Sequence, residues 1–518
     1  MLKSRVRILV ATILLAFVLG IQLIGIQRPF LGHYASYQGT VMASIARNMV
    51  RENFSDIFMP KTDSILEGRR SLHLNQYPLP SLLAARAVKF LGGTYELWGR
   101  FQAIFFNLLS VLLVFGIARR FFDEKIAWLS AAIYALSPLT VIYGQSFMSE
   151  SSSLFFFLGS FYLLIGRQGC GWAQVLLSAL FFSLAITGRL HWILFFPLFI
   201  VPLWWAGPEQ RSRKLFFFAV LALALPVAWY AHTYFASLNT PHVHTNLFLQ
   251  MATSQKGSAF WFRPELYRAV AITFAKNMFA VIALPFFLLG IPKALQSREG
   301  RLCLWAGLGV GAVLMFLSPE KLIHHDFYLY AIFPFLVPVT ALGVVGMAER
   351  FPKRAIALIA AFMTLLVLAS AIFSSRTIFT APEDEKRMWK IAERVREITP
   401  PEAPIVIGSE NSAIIVFYAD RPAWNLAASA VGKKDRSYLS MTRFTGRDKN
   451  SLEKFEKARQ SPADWLEYLR TQGAAYFVVP EPDAFGGFPD FLPYVAARYK
   501  DISDSPKNYH LYELKNLT

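Results

Sequence analysis

Over much of this chain the apolar residues neither alternate nor recur at one helical face. They run on almost uninterrupted, and the polar residues gather between the runs. A helix needs about 20 predominantly apolar residues to cross the hydrocarbon core of a bilayer. Runs of roughly that kind fall near 8–27, 100–118, 127–145, 151–166, 172–187, 190–206, 215–233, 270–290, 302–318, 327–347 and 355–374, which predicts eleven spans. The stretch 172–206 reads as a tight hairpin around Gly188-Arg189; one long span there would invert everything that follows.

Longer segments between the runs have patterns of their own. Residues 28–99 form a first outer loop, in which Val41–Val50 (VMASIARNMV) reads as a membrane-surface helix whose apolar run is broken by Arg47 and Asn48. Pro78-Leu79-Pro80 opens a second short helix, roughly 81–91, ended by Gly92-Gly93. Residues 234–269 carry His242 and His244 in no interpretable pattern. Beyond 376, helical patterns at 383–398 and 462–472 alternate with strand-like runs at Ile405–Gly408, Tyr476–Val479 and His510–Leu514, separated by Pro and Gly. Such alternation predicts a small α/β domain. The expected architecture is a mainly α, polytopic membrane domain over 1–375, including the loop 28–99, followed by an α/β domain over 376–518.

Composition agrees. Hydrophobic residues make up 55% and charged residues 17%, against about 25% charged in an ordinary soluble domain. The mean hydropathy is +0.39. A soluble cytosolic enzyme is excluded. The net charge of +18 does not point to nucleic acid, because from Arg376 onward 21 Lys and Arg face 20 Asp and Glu, leaving the excess among the apolar runs. With the N-terminus inside, every inner loop is basic: Arg119, Arg120 and Lys125; Arg167; Arg211, Arg213 and Lys214; Lys293, Arg298 and Arg301; Arg350, Lys353 and Arg354. That is the distribution of a multi-pass protein with a cytoplasmic N-terminus, and it sets the tail on the periplasmic or extracellular side. Lys3, Arg5 and Arg7 precede the first run, and no cleavage site follows it, so a retained first span is expected. Cys170 and Cys303 give no disulfide framework.

Candidate chemistry collects at one boundary. The outer ends of the runs present Gly32-His33-Tyr34 and Tyr37-Gln38, then Met148-Ser149-Glu150, then Arg189 and His191, then His324-His325-Asp326. The inner face lacks this mixture of acid, imidazole and guanidinium. Each group alone also reads as an ordinary interface residue. Together, an acid and imidazoles can take a proton from an acceptor hydroxyl or hold a divalent cation, and an Arg fork suits a phosphate. Both parts fit transfer from a lipid-linked phosphosugar at the outer leaflet.

These residues resemble a family. The interfacial Ser44–Asn48 (SIARN) segment, Tyr77-Pro78-Leu79 leading to Gly92-Gly93, and Ser137-Pro138 through Tyr143 to Phe147-Met148-Ser149-Glu150 are similar to bacterial GT-C class glycosyltransferases. So are Ala185-Ile186-Thr187-Gly188-Arg189, His325-Asp326-Phe327-Tyr328, Thr399-Pro400-Pro401 and Tyr418-Ala419-Asp420-Arg421. The nearest likeness is to relatives of the protein mannosyltransferases and the aminoarabinose transferase. The resemblance spans essentially the whole chain, each motif being weakly specific and their order more so. It implies a GT-C fold, a polyprenyl-phosphate-sugar donor, inversion at the anomeric carbon, and a lipid, glycan or protein acceptor at the outer face of the cell (inner) membrane.

In such enzymes an acid before the SIARN-like helix acts as base or metal ligand. Here that stretch reads His33-Tyr34-Ala35-Ser36-Tyr37-Gln38-Gly39, without a carboxylate. The resemblance then implies His33 or Glu150 as base, Tyr37 and Gln38 as substrate contacts, Arg189 on the donor phosphate, and His324, His325 and Asp326 facing that phosphate or a cation. A divalent metal remains open, with Glu150 and His325 as candidate ligands; no other cofactor is implied. The rival readings are a transporter or flippase of a lipid-linked saccharide and a catalytically inactive membrane scaffold. Ionisable groups at one face rather than at the midplane, and no repeated halves, weigh against the transporter.

Overall fold

The computed structural model describes residues 2–32, 34–66, 69–165, 171–205, 210–239, 264–317, 325–378, 380–409, 412–432, 453–454, 457–506 and 508–516. The chain forms two compact units. One comprises Met1–Arg28, Glu96–Trp229 and Leu247–Thr380; the other comprises Pro29–Tyr95, Tyr230–Asn246 and Ala381–Thr518.

Among the described residues, the regular secondary structure of the first unit is all helix. Helix occurs at each of the eleven expected positions. Among the described residues five helices are long and apolar enough to cross a membrane: Tyr95–Phe121, Arg211–Ala236, Arg298–Phe316, Phe327–Arg350 and Pro352–Ser374. Others are shorter or broken, and the breaks have local causes. The run 127–145 divides into Glu124–Leu136 and Pro138–Tyr143, because Pro138 cannot continue the first helix while the Ser137 hydroxyl accepts from the Thr140 N–H and starts the second. The run 172–206 does reverse. Trp172–Gly188 ends at Arg189, whose backbone is extended (φ −156°, ψ 112°), and a 3₁₀ segment Leu190–Phe195 leads into Phe196–Trp205. Phe182 and Phe199 then meet across the turn with ring centroids 4.3 Å apart.

The expected span at 270–290 is where the structure departs most from an uninterrupted helix. Pro264–Thr273 runs into a π-turn at Phe274–Met278, and the next helix starts only at Leu284. Between them Ala280 and Val281 have φ of +47° and +63°, a region that costs a β-branched residue about 1–2 kcal/mol. Such π-turns and strained residues concentrate at functional places.

In the second unit the interfacial helix is longer than its apolar core suggested, covering Tyr34–Arg51. The helix Leu79–Leu91 begins behind Pro78 and ends at Gly92, whose φ of +73° suits glycine. A seven-stranded sheet organises this unit. Its strands are β1 (Lys61–Leu66), β2 (Arg69–Leu72), β3 (Ile405–Ile407), β4 (Ala423–Asn425), β5 (Tyr476–Val479), β6 (Tyr499–Asp501) and β7 (His510–Asn516), in the order β2-β1-β4-β3-β5-β7-β6. β3, β4 and β5 are parallel; β7 is antiparallel to β5 and β6. β1 joins β4 in parallel through Ser64 and Ala423. The loop placed with the membrane domain by its sequence position thus groups with the tail, because its hairpin extends the tail's sheet. Val406, Phe477 and Trp465 pack one face, and Ile405, Val478 and Val395 the other. Arg421 closes the end of the helix Glu383–Ile398, donating to the carbonyls of Arg396 (2.9 Å) and Thr399 (2.6 Å), which satisfies acceptors that a helix end leaves open.

Candidate functional site

Glu150 and Arg189 owe their meeting to two antiparallel helices, Glu150–Leu164 and Trp172–Gly188. Small residues let these pack closely. The Ser160 and Ser178 hydroxyls lie 2.9 Å apart and each also donates to the other's carbonyl. A methyl group on Gly188 would stand 2.4 Å from Ser153 Oγ. Close packing of this kind is how membrane helices associate when no hydrophobic drive separates them from lipid. Glu150 is the first residue of one helix and Arg189 directly follows the last residue of the other. Each charge therefore sits at the helix end whose dipole favours it.

The result is a shielded ion pair. Arg189 Nη2 lies 2.5 Å from Glu150 Oε1, with 16% of the arginine side chain and 3% of the glutamate side chain exposed. Neither Glu150 carboxylate oxygen has a hydrogen-bond partner among the described residues, so its contact with Arg189 is one of charge. The guanidinium carbon stands 5.1 Å from the Phe327 ring centroid, a cation–π contact that fixes its plane. The Phe157 and Trp192 rings, stacked at 4.6 Å, anchor the 3₁₀ segment after Arg189. His191 meets the Tyr328 ring edge-on at 4.9 Å.

Asp326 precedes the helix Phe327–Arg350 and is buried. The Tyr143 hydroxyl donates to its Oδ1 and Asn277 Nδ2 donates to its Oδ2 at 2.7 Å. Both carboxylate oxygens are thus engaged within the chain, so Asp326 ties three elements together: the helix after Ser137, the π-turn and the helix carrying Phe327. His325 is half-buried, its ring 5.5 Å from that of Phe327.

The sequence-predicted residues divide as follows. Glu150, Arg189, His325 and Asp326 belong to the membrane unit, and contacts through Phe327 bring the Arg189 and His325 neighbourhoods together. Tyr37 and Gln38 lie on the first turns of the helix Tyr34–Arg51 in the second unit. His33 and His324 lie outside the described residues. Sequence reasoning did not single out Asn277, although a polar residue inside an apolar run was a usable signal.

It also passed over Asp63, a carboxylate of the first outer loop that is wholly buried. Asp63 accepts from Ser44 (2.7 Å), Arg47 (2.6 Å) and Asn48 (3.1 Å), with Arg51 and Arg70 each at 3.4 Å. Burial pushes its carboxyl up, but the Arg47 charge and hydrogen bond, the Ser44 hydroxyl and Arg70 outweigh this and hold it below the usual aspartate range. A carboxylate so saturated is a structural centre rather than a base. The Arg47 and Asn48 of the SIARN segment serve it.

No three His, Cys, Asp or Glu side chains converge among the described residues as a metal site requires. Glu150 faces the Arg189 guanidinium, and both Asp326 oxygens accept hydrogen bonds.

Comparisons with known proteins set this geometry in a wider frame. The sequence profile described as dolichyl-phosphate-mannose-protein mannosyltransferase matches residues 77–232. No curated protein matches the chain in sequence. ArnT from Cupriavidus metallidurans, solved bound to undecaprenyl phosphate, superposes with a TM-score of 0.64 at 14% identity over 97% of this chain and 97% of that one. The Archaeoglobus fulgidus oligosaccharyltransferase, solved with Zn and sulfate, gives 0.59 at 14% identity over 97% of this chain and 73% of that chain. The mycobacterial arabinofuranosyltransferase AftD gives 0.54 at 13% identity over 98% of this chain and 40% of that one. The chain has the polytopic membrane fold of the GT-C glycosyltransferases.

Proposed function

We propose that the protein is an integral membrane glycosyltransferase that moves a sugar from a polyprenyl-phosphate-linked donor to a lipid, glycan or protein acceptor at the outer face of the cell membrane. The observation that carries this reading is the shielded Glu150–Arg189 pair, one carboxylate and one guanidinium, in a GT-C fold. ArnT was solved with undecaprenyl phosphate, and the archaeal AglB with a dolichol-phosphate and an inhibitory peptide. Both speak for a lipid-phosphate donor here.

Arg189 binds the donor phosphate through charge-assisted hydrogen bonds. Glu150 accepts the proton of the acceptor hydroxyl as its oxygen attacks the anomeric carbon from the face opposite the phosphate. The bond from that carbon to the phosphate oxygen breaks, and its electron pair leaves on the phosphate, where Arg189 stabilises the added charge. The sugar is transferred with inversion. His325 faces the donor, and Asp326 positions it from the start of the helix Phe327–Arg350. The N-terminus is cytoplasmic and the unit containing 381–518 is periplasmic.

The test is transfer from labelled polyprenyl-phosphate sugars in proteoliposomes, with envelope lipids, glycans and peptides offered as acceptors. Wild-type-level turnover in both Glu150→Ala and Arg189→Ala would remove this site assignment.

A further inference from the structure

In the structure the guanidinium that should hold a phosphate already holds a carboxylate. Arg189 Nη2 and Glu150 Oε1 are 2.5 Å apart, and neither side chain has enough exposed surface for water to screen the contact. The two groups are placed by the ends of packed helices, so the pair cannot drift apart for lack of tension. Phe327 lies 5.1 Å from the guanidinium carbon and narrows the directions from which an anion can approach. A dianionic or monoanionic phosphate arriving at Arg189 therefore competes with Glu150 for the same positive charge.

From this we infer that Glu150 is the resident counter-ion of Arg189 and that the donor's phosphate displaces it. The inference rests on the reading of Arg189 as the phosphate-binding residue and adds an order of events to it. Without donor, the carboxylate is held on the guanidinium and is not presented to an acceptor. Donor binding releases it, leaving a carboxylate that is 3% exposed and without its cation. Such a buried charge calls for a new hydrogen-bond donor, and the acceptor hydroxyl supplies one. The acceptor therefore binds more tightly once the donor is present, and a base that is masked until then protects the site from unproductive chemistry. No bond is made or broken in the exchange; only the partner of Arg189 changes.

This makes an unusual prediction for a residue assigned as a base. Removing the Glu150 charge removes that competitor for Arg189, so Glu150→Gln should bind undecaprenyl phosphate in detergent micelles more tightly than the wild type, by about 5- to 150-fold, the usual range for coupled sites. Transfer should show both kcat and donor KM lowered, the pattern of a relieved ground state. Glu150→Ala serves as a second variant, and thermal unfolding checks that each is folded. Arg189→Ala should bind weakly, and Glu150→Gln should no longer tighten binding in that background. If Arg189→Ala weakens binding while neither Glu150 variant strengthens it, the displacement is wrong and the proposed function stands. If Arg189→Ala binds like the wild type, the phosphate site itself is misplaced.

Discussion

The Arg47 guanidinium meets Asp63 Oδ2 at 2.6 Å and reaches Asp420 Oδ1 at 2.8 Å with its other nitrogen, so one side chain of the interfacial helix joins β1 to the turn before β4. Arg51 repeats the link to Asp420 at 2.7 Å, and Arg70 pairs with Glu402 at 2.7 Å. Three arginines and three carboxylates thus balance one another around a fully buried Asp63. Deleting one partner of a buried pair leaves its mates uncompensated, at a cost of about 3–5 kcal/mol. Asp63→Ala should therefore destabilise the protein by roughly that amount in thermal or denaturant unfolding. Arg70→Ala, which removes a contact at 3.4 Å, should cost less.

The same cluster makes stability pH-dependent in a defined direction. The folded Asp63 carboxyl lies below its ordinary value, so the folded state binds fewer protons there than the unfolded chain. Its contribution is complete above about pH 3.9, the ordinary aspartate value, and fades as the pH falls through the lower folded value. Unfolding of the wild type should steepen with acid below about pH 4, and that part of the slope should be missing in Asp63→Asn. Parallel unchanged slopes in the two proteins would count against the buried cluster.

Arg189 and Glu150 should fail differently in transfer assays. Loss of a positioned general base costs about 10²- to 10⁴-fold in kcat, the expectation for Glu150→Gln. Arg189→Lys keeps a charge and loses the planar fork, so it should transfer better than Arg189→Ala and worse than the wild type. Equal rates for the lysine and alanine variants would show that charge at this position does not matter.

Gly188 offers a test of positioning without touching either charge. An added methyl would collide with Ser153 Oγ at 2.4 Å but would sit at an ordinary 3.6 Å from Ser153 Cβ. Ser153 Oγ has no hydrogen-bond partner among the described residues, so Ser153→Ala alone should be nearly silent. Gly188→Ala should displace Arg189 and lower kcat/KM by up to about 100-fold, the order expected for a displacement near 1 Å. Adding Ser153→Ala to Gly188→Ala should restore most of the loss. Failure of that rescue would mean that Gly188 serves something other than helix approach.

How much of this was legible in the sequence depends on how local each cause is. The tail helix Glu383–Ile398 lies where Pro382 and Thr399-Pro400-Pro401 bracket it, and Pro462–Thr471 starts where the Ser461 hydroxyl caps the Asp464 N–H. The strand-like runs at 405, 476 and 510 likewise became β3, β5 and β7, because apolar β-formers between Pro and Gly carry their own signal. β4, three residues long, and the polar β1 (KTDSIL) carry none, and the pairing that joins them, Ser64 to Ala423, links positions hundreds of residues apart. Glu150 and Arg189 stood out because ionisable residues at the ends of apolar runs are few. The role of Asp326 did not, since its donors Tyr143 and Asn277 come from 183 and 49 residues away.

That long-range tie can be tested directly. Tyr143→Phe and Asn277→Ala each leave one Asp326 oxygen without its donor, and a hydrogen bond to a charged group is worth about 1.5–3 kcal/mol. Both variants should unfold earlier by a comparable amount, measured in detergent. Because they share one carboxylate, the double variant should deviate from the sum of the singles by about 0.5–3 kcal/mol. Asp326→Asn discriminates further. A neutral amide accepts at its oxygen but donates at its nitrogen, so it satisfies Tyr143 or Asn277 as they stand, and the Asn277 amide can turn to accept from it. Asp326→Asn should thus be milder than Asp326→Ala, whereas Asp326→Asn combined with Asn277→Asp should restore a donor–acceptor match with the charge moved across the contact. If the exchanged pair is no more stable than Asp326→Asn, the carboxylate is required at 326 for a reason other than this hydrogen bond.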